Sequence, residues 1–183
     1  MILHRVFPRD PRAAPSEPGG SLFWPRGLQG YGRHDNPELY ACIYASEERV
    51  SPVAEALAPF RGAGEVTADM LERNGRPLAL ATFELPDEQQ LVDLDEPRTL
   101  ARERLRPSQV ATRRRGQTQA QAAKLFEAHD DAAGLRWWSS LESLWINLTL
   151  FDRAERLVAA GEVESLSPES EPVREAAVVL GLA

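Results

Sequence analysis

Apolar positions along this chain fall into short runs separated by turn-forming residues, and the period of the runs changes several times. Residues 2–7 read as a short strand in which Leu3, Arg5 and Phe7 share one face while His4 and Val6 share the other. Residues 8–38 are punctuated by Pro8, Pro11, Pro15, Pro18, Pro25 and Pro37 and by several glycines, which predicts a long structured loop with a short strand over 22–24. Residues 39–45 form an apolar run bounded by polar segments, the pattern of a buried strand. Ser51-Pro52 predicts a helix start, with Ser51 as N-cap and Pro52 at the first helical position. That helix runs to about Phe60, stops near Gly62, and puts Val53, Leu57 and Phe60 on one face.

Further along, residues 77–85 and 90–94 read as strands and 97–105 as a short helix. Residues 116–129 predict a longer helix with small side chains on its face, 135–139 and 145–151 two more strands, and 172–180 a closing helix after an acidic linker over 162–171. There is neither an internal repeat nor a repeating strand–helix–strand unit. The order predicts a mixed α+β class and one domain over residues 1–183.

Composition narrows the function. A net charge of −7 argues against sequence-independent binding to nucleic acid, which rests on lysine and arginine contacts to phosphate. Lys124 is the only lysine among 21 basic residues; the bland reading of that excess is GC-rich coding, yet each arginine is a fork that fits phosphate in bidentate fashion. Cys42 is the only cysteine, which excludes an internal disulfide, and its apolar neighbours predict a buried, inert thiol. Three histidines without paired Cys/His spacing give no metal site. No apolar run approaches the roughly 20 residues of a membrane helix, and the N-terminus turns to Arg-Asp-Pro-Arg by residue 12, unlike a secretory signal. The expected location is the cytoplasm.

A few residues stand out as candidate chemistry. Glu55 is not the capping-box partner of Ser51, a place that falls to Ala54. At 100° per residue it lies about 160–200° from Val53 and Leu57, so it faces away from the apolar stripe; the bland reading is a solvated helix glutamate. Arg33 follows Gly30-Tyr31-Gly32, where glycine allows close backbone approach; the alternative is an ordinary loop arginine. The glycine order does not match G-x-G-x-x-G and does not join a strand to a helix, which rejects a dinucleotide fold of that kind. Arg5, flanked on its face by Leu3 and Phe7, is expected to be partly buried. Tyr44 either packs in the core or offers its ring to a flat ligand. Ser139 and Ser140 end a strand and could hydrogen-bond backbone or ligand, and no Ser-His-Asp arrangement is present. Arg33 to Tyr44 and Tyr44 to Glu55 are both eleven positions.

In their order these segments resemble the RES domain family, named for an Arg, a Glu and a Ser. The resemblance is carried by Leu3-His4-Arg5-Val6-Phe7, Gly32-Arg33-His34-Asp35-Asn36-Pro37, Tyr44, Glu55, Asp95-Glu96-Pro97-Arg98, Thr118-Gln119, Gly134 to Ser140, Trp145-Ile146-Asn147 and Val173-Arg174-Glu175-Ala176-Ala177. It implies a fold similar to ADP-ribosyltransferases, with mixed β-sheets flanked by helices. It further implies a toxin of a toxin–antitoxin module, neutralised by an Xre-type antitoxin, that cleaves the nicotinamide–ribose bond of NAD+. The acceptor is water, phosphate or a protein side chain, so a glycohydrolase or phosphorylase leads, with a protein ADP-ribosyltransferase or a silent binding module as the alternatives. NAD+ is then a substrate, no cofactor is implied, and assembly with copies of itself is left open. By the same resemblance Glu55 stabilises the ribosyl cation, Arg5 and Arg33 hold the pyrophosphate and ribose side, Tyr44 stacks on nicotinamide, and Ser139, or its neighbour Ser140, orients the ribose or the pocket strand. Two departures from the family pattern are His34-Asp35-Asn36 after Arg33, where an aromatic and Asn are usual, and Trp137-Trp138-Ser139-Ser140 in place of aromatic-Pro-Ser.

Overall fold

The structure is a computed structural model that describes residues 1–182. In chain order its elements are β1 (Ile2–Pro8), β2 (Cys42–Ser46), α1 (Val50–Leu57), β3 (Glu72–Arg73), β4 (Arg76–Glu84), β5 (Leu91–Asp93), α2 (Pro97–Arg102), α3 (Pro107–Val110), α4 (Arg115–Ala128), β6 (Gly134–Trp138), β7 (Ile146–Phe151), β8 (Ala159–Ser165) and α5 (Glu171–Leu180). The class is α+β. The chain divides into two compact units and crosses between them four times, once within β2.

The first unit comprises Met1–Phe23, Ala45–Leu85 and the chain from Ala159 through the last helix. Its centre is the long antiparallel pair β1–β4, in register from Ile2 opposite Glu84 to Pro8 opposite Leu78. Strand β8 flanks β4 on its other side. Strand β3 turns into β4 through Asn74 and Gly75, both with positive φ (54° and 71°). Two successive left-handed residues make the tight turn whose twist suits a two-residue hairpin. Helix α1 packs on α5 and on β1. Leu3, Val53, Leu57, Phe83 and Val173 are fully buried there. Helix α5 starts with Pro172 in its first turn and ends on Gly181 at φ 67°, where Leu182 N–H reaches back to the Ala177 carbonyl at 2.9 Å.

The second unit comprises Trp24–Tyr44 and Pro86–Val158. Strand β5 runs parallel to β6, and β6 pairs antiparallel with β7. Their inner faces and α4 enclose a core that includes Tyr40, Leu94, Leu125, Leu135, Trp137 and Phe151. Tyr40, Phe126 and Phe151 meet with ring centroids 4.6–5.0 Å apart, the offset and edge-on arrangement aromatic rings prefer.

Three expectations are corrected. Residues 22–24 are not a strand; a 3-10 turn over Arg26–Leu28 is the only regular element between β1 and β2 among the described residues. Ser51 is not an N-cap: α1 begins at Val50, Arg49 occupies the cap position, and Ser51 is buried inside the first turn. Pro52 tolerates that shift because the first amides of a helix have no intrahelical partner. Residues 159–165 form β8, so the acidic segment over 162–171 is half strand. Its side chains are almost all exposed, and it carries no apolar alternation to reveal it. Residues 107–110 form a further helical turn.

Leu57 is the test of how α1 is docked. Leu57→Ala should cost about 2–5 kcal/mol in chemical denaturation, the range for a fully buried leucine. A loss below about 1 kcal/mol would show that the inner face of α1 is not packed as described.

Candidate active site

Residues 29–36 form an irregular loop of the second unit whose shape is set by side chains. The Gln29 amide copies a strand edge: its Oε1 accepts from the Cys42 N–H at 3.1 Å, and its Nε2 donates to the Cys42 carbonyl. Next, Asp35 Oδ2 accepts from the amides of Gly30 and Gly32, at 2.8 and 2.7 Å. Asp35 Oδ1 accepts from the Tyr44 hydroxyl at 2.6 Å. From the other side, Gln119 Nε2 of α4 donates to the carbonyls of Gly30 and Gly32, at 3.0 and 2.9 Å. A Cβ on Gly32 would lie 2.4 Å from Asp35 Oδ1 and 2.5 Å from the Tyr44 hydroxyl, so only glycine fits. Burial alone would raise the Asp35 carboxyl; the hydrogen bonds from Gly30, Tyr44 and Gly32 outweigh it and hold the group below the usual carboxylate range. The same burial pushes the Tyr44 hydroxyl up, and the neighbouring Asp35 charge adds to it, so Tyr44 stays a neutral donor.

Arg33 points into the unit and is only 6% exposed. Its Nη1 donates to the carbonyls of Val110 and Thr112 at 3.0 and 2.7 Å, and its guanidinium lies 4.8 Å from the centre of the Trp137 ring. The adjacent His34 ring is also buried, 2.7 Å from Thr149 Oγ1 and edge-on to Trp137. Its own amide donates to the Tyr44 hydroxyl at 2.8 Å. Thr118 of α4 donates to the Arg33 carbonyl, and Asn36 bridges Tyr40 and the Gln119 carbonyl. The loop, β2, β6 and the start of α4 are thereby joined through one polar network.

Ser139 follows β6 and is 2% exposed. Its N–H donates to the Trp145 carbonyl at 2.8 Å, and its Oγ accepts from the Leu141 N–H at 3.1 Å, so it shapes the turn that leads to β7. Ser140 is partly exposed. In the first unit, Arg5 is partly buried as expected, and its Nη1 donates to the carbonyls of Ser21 and Phe23 at 3.0 and 3.2 Å. Glu55 is exposed on α1 while Val53, Ala54 and Leu57 are buried, which is the orientation read from helical period. Arg5 and Glu55 thus belong to one unit, and Arg33, Tyr44, Ser139 and Ser140 to the other. Cys42 is buried, as expected, with its Sγ 3.6 Å from Asp35 Oδ1.

The sequence reading gave no role to Asp35, His34, Gln119 or Gln29. No local signal points to Gln119, whose partners are 87 and 89 positions away. Among the described residues no three His, Cys, Asp or Glu side chains gather as metal-ion ligands.

The buried imidazole makes a pH prediction. Burial, then the Arg33 and Arg115 charges, lower His34 from 6.5 to about 3, against an opposing pull from Asp35. The unfolded chain therefore takes up a proton below pH 6.5 that the folded chain refuses. This contribution to stability is complete above pH 6.5 and is lost as the pH falls toward 3. Between pH 7 and pH 5 the loss should be about 2 kcal/mol in chemical denaturation. His34→Gln should remove that part of the slope; an unchanged slope would show that His34 charges freely in the folded chain.

Comparison with known proteins agrees with this picture. The model of the RES domain family matches residues 2–172. A chain of the M. tuberculosis MbcT–MbcA toxin–antitoxin complex shares the fold, with a TM-score of 0.65, 16% sequence identity, and coverage of 99% of this chain and 87% of that one. No curated protein matches the chain in sequence. A family match over nearly the whole chain, carrying the segments that hold Arg5, Arg33, Glu55 and Ser139, places this protein in the RES domain family.

Proposed function

We propose that this chain is the toxin of a toxin–antitoxin pair and cleaves the nicotinamide–ribose bond of NAD+. The observation that carries this reading is Glu55: an exposed carboxylate on a helix whose opposite face is fully buried, in a RES domain that also retains Arg5, Arg33, Tyr44 and Ser139. A carboxylate held on a rigid element is what a developing ribosyl cation requires. In the reaction the C1′–N bond breaks, its electron pair goes to the ring nitrogen, and nicotinamide leaves neutral. Glu55 stabilises the oxocarbenium-like ribose. Water or phosphate then forms the new bond to C1′, and the acceptor's proton goes to solvent. The products are nicotinamide and either ADP-ribose or its phosphorylated form.

Arg5 and Arg33 are assigned to the pyrophosphate and ribose side. Both also brace carbonyls, so each positions backbone as well as ligand. Tyr44 is assigned to the nicotinamide ring, which it can meet only in the orientation that Asp35 and the His34 amide allow its hydroxyl. Ser139, whose Oγ holds the turn, is assigned to positioning the pocket strand, and the partly exposed Ser140 is the second hydroxyl at that end. The MbcT–MbcA neighbour supports an antitoxin partner, for which an Xre-type protein is the reading taken from the family resemblance.

The test is NAD+ concentration over time with purified protein, with and without phosphate, products read by mass. Free ADP-ribose identifies a glycohydrolase and phosphorylated ADP-ribose a phosphorylase. Persistence of NAD+ with no product would overturn the proposal, whereas label appearing on protein would redirect it to transfer.

Two substitutions refine the assignment. Glu55→Ala should cut NAD+ turnover by about 10²–10³-fold or more, the scale of a lost transition-state charge contact, with an unchanged melting temperature because the side chain is exposed. Equal turnover would sink its role. Arg33→Ala should weaken NAD+ binding and also destabilise the fold by about 2–4 kcal/mol, because a buried and a partly buried carbonyl lose a charged donor. Full affinity in a stably folded variant would remove Arg33 from the site.

A further inference from the structure

Tyr31 occupies an unusual place. Its ring is 92% exposed, yet the backbone on both sides of it is fully engaged. The amides of Gly30 and Gly32 bond to Asp35, and their carbonyls bond to Gln119. Four backbone groups are thus clamped by two side chains, and the one side chain they frame points into solvent. The clamp is costly. It requires a carboxylate that is 7% exposed and ionised, itself held by the Tyr44 hydroxyl. It also requires a glycine at 32, where a Cβ would strike both of those groups. Core packing does not account for an arrangement that ends in a free-standing ring. Pre-ordering does, since an aromatic side chain fixed before its ligand arrives saves the ordering cost on binding.

We propose that Tyr31 is the stacking platform for the adenine base of the dinucleotide. The inference rests on the NAD+ reading of this site. Arg33, two positions along the same loop, is assigned there to the pyrophosphate, and the adenosine half extends from that group. Tyr44, assigned to nicotinamide, is joined to the loop through its hydroxyl contacts to Asp35 and His34 and through its ring against His34. The two rings therefore serve the two ends of one ligand. A base stacked on an aromatic ring is sequence-tolerant in chemistry and needs no hydrogen bond from the tyrosine hydroxyl.

Binding to the full chain, measured by calorimetry with NAD+, ADP-ribose and nicotinamide mononucleotide, tests this directly. Tyr31→Ala should weaken NAD+ and ADP-ribose about tenfold or more, the scale of one lost base stack, and leave nicotinamide mononucleotide within about twofold. Tyr31→Phe should bind all three as the parent chain does. Because the ring is exposed, both variants should keep the parent's melting temperature, and a large drop would instead make Tyr31 a structural residue and overturn the proposal. Unchanged affinity of Tyr31→Ala for NAD+ and ADP-ribose would also overturn it, as would an equal loss for the mononucleotide. Failure of the parent chain to bind any of the three would overturn the NAD+ reading itself, and the adenine assignment with it.

Discussion

The buried carboxylate of Asp35 is the contact on which the geometry of the second unit's loop depends. An isolated carboxylate taken out of water is expensive, and in this position it is made affordable by two amides and a phenol aimed at it. The exchange works in both directions. The anion gives the amides of Gly30 and Gly32 the acceptors that no strand or helix provides for them. In return those amides keep the carboxyl ionised despite its burial. Removing the charge would leave a donor-rich pocket without an acceptor, so this loop has one stable arrangement rather than several.

The neighbouring His34 shows the complementary solution. Between Arg33 and Asp35 it could have been a third charge, but burial and the arginine keep it neutral, and Thr149 provides its hydrogen-bond partner. Thr149 Oγ1 also lies 3.1 Å from the Trp137 indole N–H, so the imidazole and the indole meet at one hydroxyl. Three consecutive residues thus carry a cation, a neutral ring and an anion, each with a separate set of partners. Where the family usually has an aromatic residue after the arginine, this chain keeps the aromatic ring by using a neutral imidazole. That position stacks on Tyr44 and meets Trp137 edge-on, which a charged side chain could not do at the same cost.

Much of the frame was legible because it rests on local pattern. The outward direction of Glu55 followed from helical period alone, and the half-buried state of Arg5 followed from Leu3 and Phe7 on its face. The Asn74-Gly75 hairpin is legible in the same way, as a strongly favoured pair for a turn with two positive φ values. Strand β8 could not be read, because a mostly exposed strand of Ala, Gly, Glu and Ser with Val163 as its one large apolar residue shows no sustained apolar alternation. The clamp on Gly30 and Gly32 was unreadable for a different reason. Half of it comes from Gln119, and a surface glutamine in a helix has no feature that announces a partner in a loop so far away in sequence.

The arginine content takes a different meaning from the one that composition suggested. Each fork was a potential anion site, but several are turned onto backbone. Arg26 donates to the carbonyls of Pro37 and Glu38, Arg73 to those of Ala56 and Glu72, and Arg153 to those of His129 and Phe126 while lying over the Phe126 ring. Arg5 and Arg33 do the same for the segments at 21–23 and 110–112. In each case a charged donor with several N–H groups satisfies carbonyls that irregular backbone leaves without a ladder partner. A chain with a long proline-rich loop and short strands has many such carbonyls. Lysine, a single hydrated ammonium on a flexible stem, would replace this function poorly at these five positions. These five arginines therefore hold irregular backbone, whereas Arg49, Arg102 and Arg136 pair with carboxylates, and an anion-binding role belongs only to the arginines that other observations single out.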